Sequence, residues 1–161
     1  RRAALTIWTT LADAYAMHEK QLALRRNDYG QDLLIRYDIG KNVTGAQYAE
    51  ALRWIENFQV RLEPVWRSVD AMLHPTVPFP APEVAGMDYS NAIRAIPKFT
   101  CVFAAAGAPA LALPCGFTQN DMPLSMELAA APFYEENVLR LGHAFQQVTN
   151  HHLREPVFPA C

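Results

Sequence analysis

An α/β fold follows from three observations in this 161-residue sequence. Apolar residues recur at helical spacing over long stretches near both ends. Short apolar runs of buried-strand type occur at residues 69–73, 110–113 and 124–129. Their order (helix, helix, strand, helix, strand, strand, helix) departs from regular strand–helix alternation and argues against a simple doubly wound sheet.

Residues 3–27 are expected to be helical, with Leu5, Trp8, Ala12, Tyr15 and Leu22 forming one apolar face and Tyr29-Gly30 the stop. A short helix over about 31–37 should follow and end by Gly40. Thr44-Gly-Ala-Gln47 reads as a capping box, in which the Thr hydroxyl and the Gln side chain each satisfy a free backbone amide. It opens a second long helix over about 45–67, with Leu52, Ile55, Phe58 and Leu62 inward and Pro64 ending or kinking it. After the strand candidate at Val69–Leu73, four prolines fall within Pro75–Pro82, a run excluded from helices and central strands. Tyr89–Ala106 looks mostly helical, with Pro97 as a break or first-turn residue. Ala110–Leu113 and Leu124–Ala129 are strand candidates joined through Gln119-Asn-Asp-Met122. Tyr134–Thr149 is the last helix, with Val138, Leu141, Phe145 and Val148 as its inward stripe.

Composition bounds the function. With 51% hydrophobic and 19% charged residues the chain can build a core, and its net charge is only −2. Residues 1–67 hold ten Lys/Arg and eight Asp/Glu, and residues 68–161 hold four and eight. No basic stripe exists, so nucleic-acid binding has no electrostatic support. No lipid-spanning run or signal peptide is visible. Cys101, Cys115 and Cys161 are odd in number and widely spaced, which disfavours a disulfide framework or zinc site and fits reduced, cytoplasmic thiols. The start at Arg1-Arg2, close to a helical pattern, looks like a chain cut from something longer.

The run Phe99-Thr-Cys-Val-Phe-Ala-Ala-Ala-Gly-Ala-Pro-Ala-Leu-Ala-Leu-Pro-Cys-Gly-Phe117, followed by Met122-Pro-Leu-Ser-Met-Glu-Leu128, resembles the C-terminal part of the amidase signature family. Members of that family commonly read G-x-P-A-x-x-x-P-x-G-F and then x-P-x-x-x-Q. Three further segments are similar to family motifs in the same order. They are Ala12-Asp-Ala-Tyr-Ala-Met-His-Glu19, Asp70-Ala-Met-Leu-His-Pro-Thr-Val-Pro-Phe-Pro-Ala-Pro82 and Pro132-Phe-Tyr-Glu-Glu-Asn-Val-Leu-Arg-Leu-Gly-His-Ala-Phe-Gln146. Order and spacing agree from about residue 8 to residue 158.

The resemblance implies that residues 1–161 are the C-terminal portion of a single amidase-type domain, a mixed sheet flanked by long helices. Within it a helical layer would span about 3–67, the strand and Pro-rich loop about 69–82, and a helix-strand-strand-helix about 89–149. The resemblance also implies cleavage of a small or aryl carboxamide to acid and ammonia or amine, without a cofactor. Ser attacks, a second Ser in a cis peptide relays a proton from Lys, and backbone amides hold the oxyanion. None of those residues is found here. The serines are Ser68, Ser90 and Ser125, the lysines Lys20, Lys41 and Lys98, and no Gly-Gly-Ser-Ser context occurs. The catalytic half is therefore expected upstream, as a missing partner segment that would leave an exposed apolar face here and favour a homodimer. Two departures stand out. Ala104 occupies a position where the family often has Asn, and Glu127 one where it has Gln.

The residues expected to line a substrate pocket are Thr76, Phe79, Lys98, Thr100, Cys101 and Ala104. Thr100, Cys101 and Ala104 share one helical face, which either approaches substrate or consists of small residues that let helix and sheet come close. Lys98 meets an anionic substrate or points to solvent. Phe79 favours reading the proline-rich loop as a wall of the substrate funnel over a polyproline ligand for a partner. Cys115 could serve as a thiol nucleophile but reads better as a small buried residue at a strand end. His74 at a strand end reads as a histidine pinned under the proline loop. His151-His152, with His143 on the preceding helix, could bind metal, but adjacent histidines on a polar segment read better as solvated.

Two other functions compete. One is a stand-alone, non-catalytic assembly or binding module of the same fold. The other is the glutaminase component of a tRNA-dependent amidotransferase. Ile96-Pro-Lys98 stands where such glutaminases tend to carry an Asp for the substrate's ammonium group, which disfavours that reading.

Overall fold

A computed structural model of the chain describes residues 5–83, 85 and 95–156. Arg1-Arg2, Cys161, Ser90 and the expected helix start at Tyr89 lie outside them. The elements are α1 (Leu5–Arg25), α2 (Gln31–Lys41), α3 (Gly45–Trp66), β1 (Met72–Pro75), α4 (Pro97–Ala106), β2 (Ala110–Phe117), β3 (Pro123–Ala129) and α5 (Glu135–Val148), with short 3-10 turns at Arg26–Asp28 and His151–Leu153. They divide into two compact units, up to Leu62 and from Glu63, with the boundary inside α3.

In the first unit α1 and α2 form an antiparallel pair closed by the turn after Arg25. Its core is Leu22, Leu34 and Tyr37, edged by Ala14, Tyr15 and Tyr29. Gly40 does not end α2 but lies buried inside it. The reason is close approach: a Cβ there would run into the backbone carbonyl of Leu11. The capping box forms as read, with Gln47 Oε1 accepting from the Thr44 amide at 2.9 Å and Thr44 Oγ1 accepting from the Gln47 amide at 3.2 Å. The inward side of α3 holds Ile55, Phe58 and Leu62 as expected and departs at Leu52. Ala51 is fully buried, with Trp54, Ile55 and Phe58 half-buried, while Leu52 is exposed. Trp54 and Phe58 stack at 5.0 Å, one helical turn apart. Pro64 neither ends nor breaks α3 at its own position. It removes one hydrogen bond near the helix end, where Val60, whose carbonyl loses its partner, is exposed.

The second unit is built on a three-stranded sheet of order β1-β3-β2, antiparallel among the described strands. A short β2–β3 turn forces antiparallel pairing there, and β1 adds to the other side of β3. The turn is built by Thr118, whose Oγ1 accepts from the amides of Asn120 and Met122. β1 begins at Met72 rather than Val69. The buried Asn137 of α5 donates to the Asp70 carbonyl at 3.1 Å and so occupies that backbone group before the strand starts. β2 extends past Leu113 to Phe117, with a register shift between Pro114 and Gly116. Pro75 and Pro114 both lie on outer strands of this sheet, where a missing amide costs little.

One sheet face packs against α5 through Leu113, Met126, Leu128, Ala130 and Val138, flanked by Leu111, Cys115 and Phe145. Gly142 lets α5 come down on Leu111, whose methyl occupies the space of a Cβ. The inward stripe of α5 is thus Val138, Gly142 and Phe145. Leu141 and Val148 are exposed. Pro97 is a first-turn residue of α4, where a missing amide is harmless. Gly107 closes that helix in the left-handed conformation at φ 63°.

Candidate functional site

The side-chain period of two puts His74, Glu127 and Ala112 in one row across the three strands. His74 pairs with Glu127, and Glu127 with Ala112. This row faces away from the α5 core. Phe99 and Phe103, four residues apart on α4, meet it from above. The His74 ring lies 4.6 Å from Phe103 with planes 13° apart, and 6.1 Å from Phe99. Trp66 at the end of α3 touches Phe103 in turn, at 6.3 Å.

His74 Nδ1 is 2.8 Å from the Pro75 carbonyl oxygen. A carbonyl only accepts, so Nδ1 carries a hydrogen. Nε2 is therefore left toward Glu127, with Oε1 3.6 Å away, and is buried with no hydrogen-bond partner among the described residues. Glu127 is itself buried. Burial pushes its carboxyl above the ordinary carboxylate range, and the nearby imidazole opposes that shift.

One residue beyond β1, the Thr76 amide donates to the Ser125 carbonyl at 3.1 Å, and the two hydroxyls lie 2.8 Å apart. Thr76 thereby anchors the start of the proline-rich loop to the central strand. Phe79, further along that loop, is half-buried. On α4, Thr100 and Cys101 are half-buried, whereas Lys98 and Ala104 are exposed.

Cys115 lies against the α5-side core, with Sγ 3.6 Å from the Leu124 carbonyl oxygen. His151 meets the rings of Phe117 and Phe145, and the Arg154 guanidinium lies 4.2 Å over Phe117 while pairing with Asp121. Among the described residues, no group of three or more His, Cys, Asp and Glu could hold a metal ion, and no helix is long and apolar enough to cross a membrane. Cys101 and Cys115 are in no disulfide.

Sequence reasoning singled out His74 and Glu127 separately and did not bring them together. Only the β1–β3 register does so. Ser125 and the Phe99–Phe103 clasp were missed as parts of the site. The spacing of the two rings on α4 was the signal available for the clasp.

The Amidase family profile matches residues 3–139, and the chain belongs to that family. A glutamyl-tRNA(Gln) amidotransferase component of Bacillus cereus (strain AH187) is 32% identical over 143 residues, covering 81% of this chain and 28% of that protein. A putative amidase AmiD of Mycobacterium tuberculosis (strain ATCC 25618 / H37Rv) is 31% identical over 145 residues, covering 86% and 30%. An amidase crystal structure shares the fold at TM-score 0.81 and 24% identity, over 91% of this chain and 35% of that one. A component of a vestigial complex linked to the origins of an s-triazine catabolic enzyme aligns at TM-score 0.80 and 26% identity, over 91% and 34%. The chain thus spans about a third of the length of the relatives it matches.

Proposed function

We propose that this chain forms a substrate-side wall of an enzyme that cleaves a carboxylic amide to acid and ammonia or amine. In this reading its residues belong to one amidase-type domain, and the Ser–cis-Ser–Lys chemistry lies in the part of the parent outside them. Membership of the amidase family carries the reading. The local chemistry agrees with it. Among the described residues, the hydroxyls of Ser125 and Ser68 meet the Thr76 hydroxyl and the Val65 carbonyl, neither of which is a His, Lys or carboxylate base. The wall comprises Thr76 and Phe79 on the loop and Lys98, Thr100, Cys101 and Ala104 on α4, the helix that meets His74 through two aromatic rings. The reading needs no cofactor or nucleic acid, keeps the protein in the cytoplasm with reduced thiols, and allows a homodimer.

The test is made in the full-length parent. Enlarging the wall by Ala104→Leu should raise KM for bulky arylamides several-fold while leaving kcat for a small aliphatic amide unchanged. Equal loss for both substrates would contradict a wall at this position. A glutaminase role is the second reading, supported by what the Bacillus relative is called. An exposed Lys98 at the start of α4 suits a substrate ammonium poorly. Ammonia release from glutamine by the parent would favour that reading, and its absence beside arylamide turnover would favour the first.

A further inference from the structure

We propose that His74 and Glu127 form a single-proton site that seats α4 on the sheet, the folded protein keeping one proton on the pair through neutral pH. The inference is independent of the amide-cleaving reading, since it concerns how the fold is held rather than what it binds. With Nδ1–H committed to the Pro75 carbonyl, a neutral His74 turns a bare lone pair toward the Glu127 carboxyl. An ionised Glu127 would then face it with a second acceptor, in a place where Nε2 has no hydrogen-bond partner among the described residues. Two buried acceptors facing each other, neither with a hydrogen, is the arrangement folded proteins avoid. One added proton removes the conflict, whether it is held as imidazolium against carboxylate or as imidazole against carboxylic acid. The two groups then titrate as a unit.

Among the described residues, little else neutralises the pair. α4 presents the rings of Phe99 and Phe103 to His74, and β2 presents Ala112 opposite Glu127. Among the described residues, His74 is the charged neighbour that acts on Glu127. Lys98 on α4 is exposed, and Glu63 and Arg67 near the end of α3 are exposed and pair with each other at 3.4 Å. The stack on Phe103 joins the pair to α4. Losing the proton leaves the acceptors opposed, so α4 loosens from β1 and β3.

The experiment uses the full-length protein carrying ¹⁵N-labelled histidine and ¹³Cδ-labelled glutamate, with signals assigned through His74→Gln and Glu127→Gln. At about pH 8, above the ordinary histidine pKa of about 6.5, the pair should carry one proton, seen as a doubly protonated His74 ring or a protonated Glu127 carboxyl. Backbone amide protection in α4, corrected for intrinsic exchange, should fall about tenfold or more as that proton leaves. In Glu127→Gln it should stay flat, because a carboxamide can donate to Nε2 at every pH. An ionised Glu127 beside a singly protonated His74 at pH 8 overturns the proposal. So does α4 protection in the wild type that is indifferent to the pair's titration.

Discussion

The imidazole of His74 lies face to face with the ring of Phe103, and through that stack a residue of the edge strand β1 holds the helix α4. Phe103 is buried and also touches Trp66. Removing it takes away both contacts and opens a void over the His74–Glu127 row. Phe103→Ala should destabilise the second unit by about 3–5 kcal/mol. Phe103→Leu should cost clearly less, because it fills most of the volume without restoring the stack. Denaturant unfolding of the two variants checks the order, and equal losses would contradict it.

Glu127 gives the pH dependence a defined sign. Its carboxyl is raised in the folded state by burial, so the folded protein holds that proton more tightly than the unfolded chain does. The stability it contributes is present below the ordinary value of 4.5 and is lost as pH rises through the folded value. Wild type should therefore lose stability relative to Glu127→Gln as pH rises from about 4.5 toward neutrality. Thermal midpoints of both proteins across that range provide the measurement. Parallel profiles would assign the pH dependence to other groups.

Gly40 tests the helix pair of the first unit. In an exposed helix Gly→Ala stabilises by about 1 kcal/mol. At Gly40 the new methyl would meet the Leu11 carbonyl, which is backbone and cannot rotate away. Gly40→Ala should instead destabilise by about 1–3 kcal/mol, an overpacking cost. A stabilised variant would show that α1 and α2 can slide apart freely.

The capping box of α3 offers a milder change. Thr44→Ala removes the acceptor for the Gln47 amide and should cost about 1 kcal/mol. Thr44→Ser should restore most of it. Helix content by circular dichroism through the unfolding transition reads both.

Local chemistry was the legible part of the sequence. The Thr44–Gln47 box, Pro97 in the first turn of α4 and the α5 residues Val138 and Phe145 all follow from rules that act within one or two helical turns. What was misread depends on distant partners. Gly40 looked like a stop because a glycine that ends a helix and one that admits another helix read alike until Leu11 is in place. Val69 looked like strand because nothing nearby shows that Asn137, far along the chain, takes the carbonyl of Asp70. The candidate site divides the same way. His74, Thr76 and Glu127 were each noticed, yet their meeting is set by the β1–β3 register, which no local pattern encodes. The family resemblance was readable because it rests on ordered motifs, and it is the property that the comparisons establish.

The most direct test of the proposed reading, that this chain is a wall of a longer amide-cleaving enzyme and does not carry the chemistry itself, is hydrolysis of a simple arylamide by the proposed full-length parent and by the purified 161-residue chain side by side. The account predicts turnover by the parent that a serine-directed inhibitor abolishes, and none by the chain alone. Turnover by the chain alone, unaffected by that inhibitor, would contradict it.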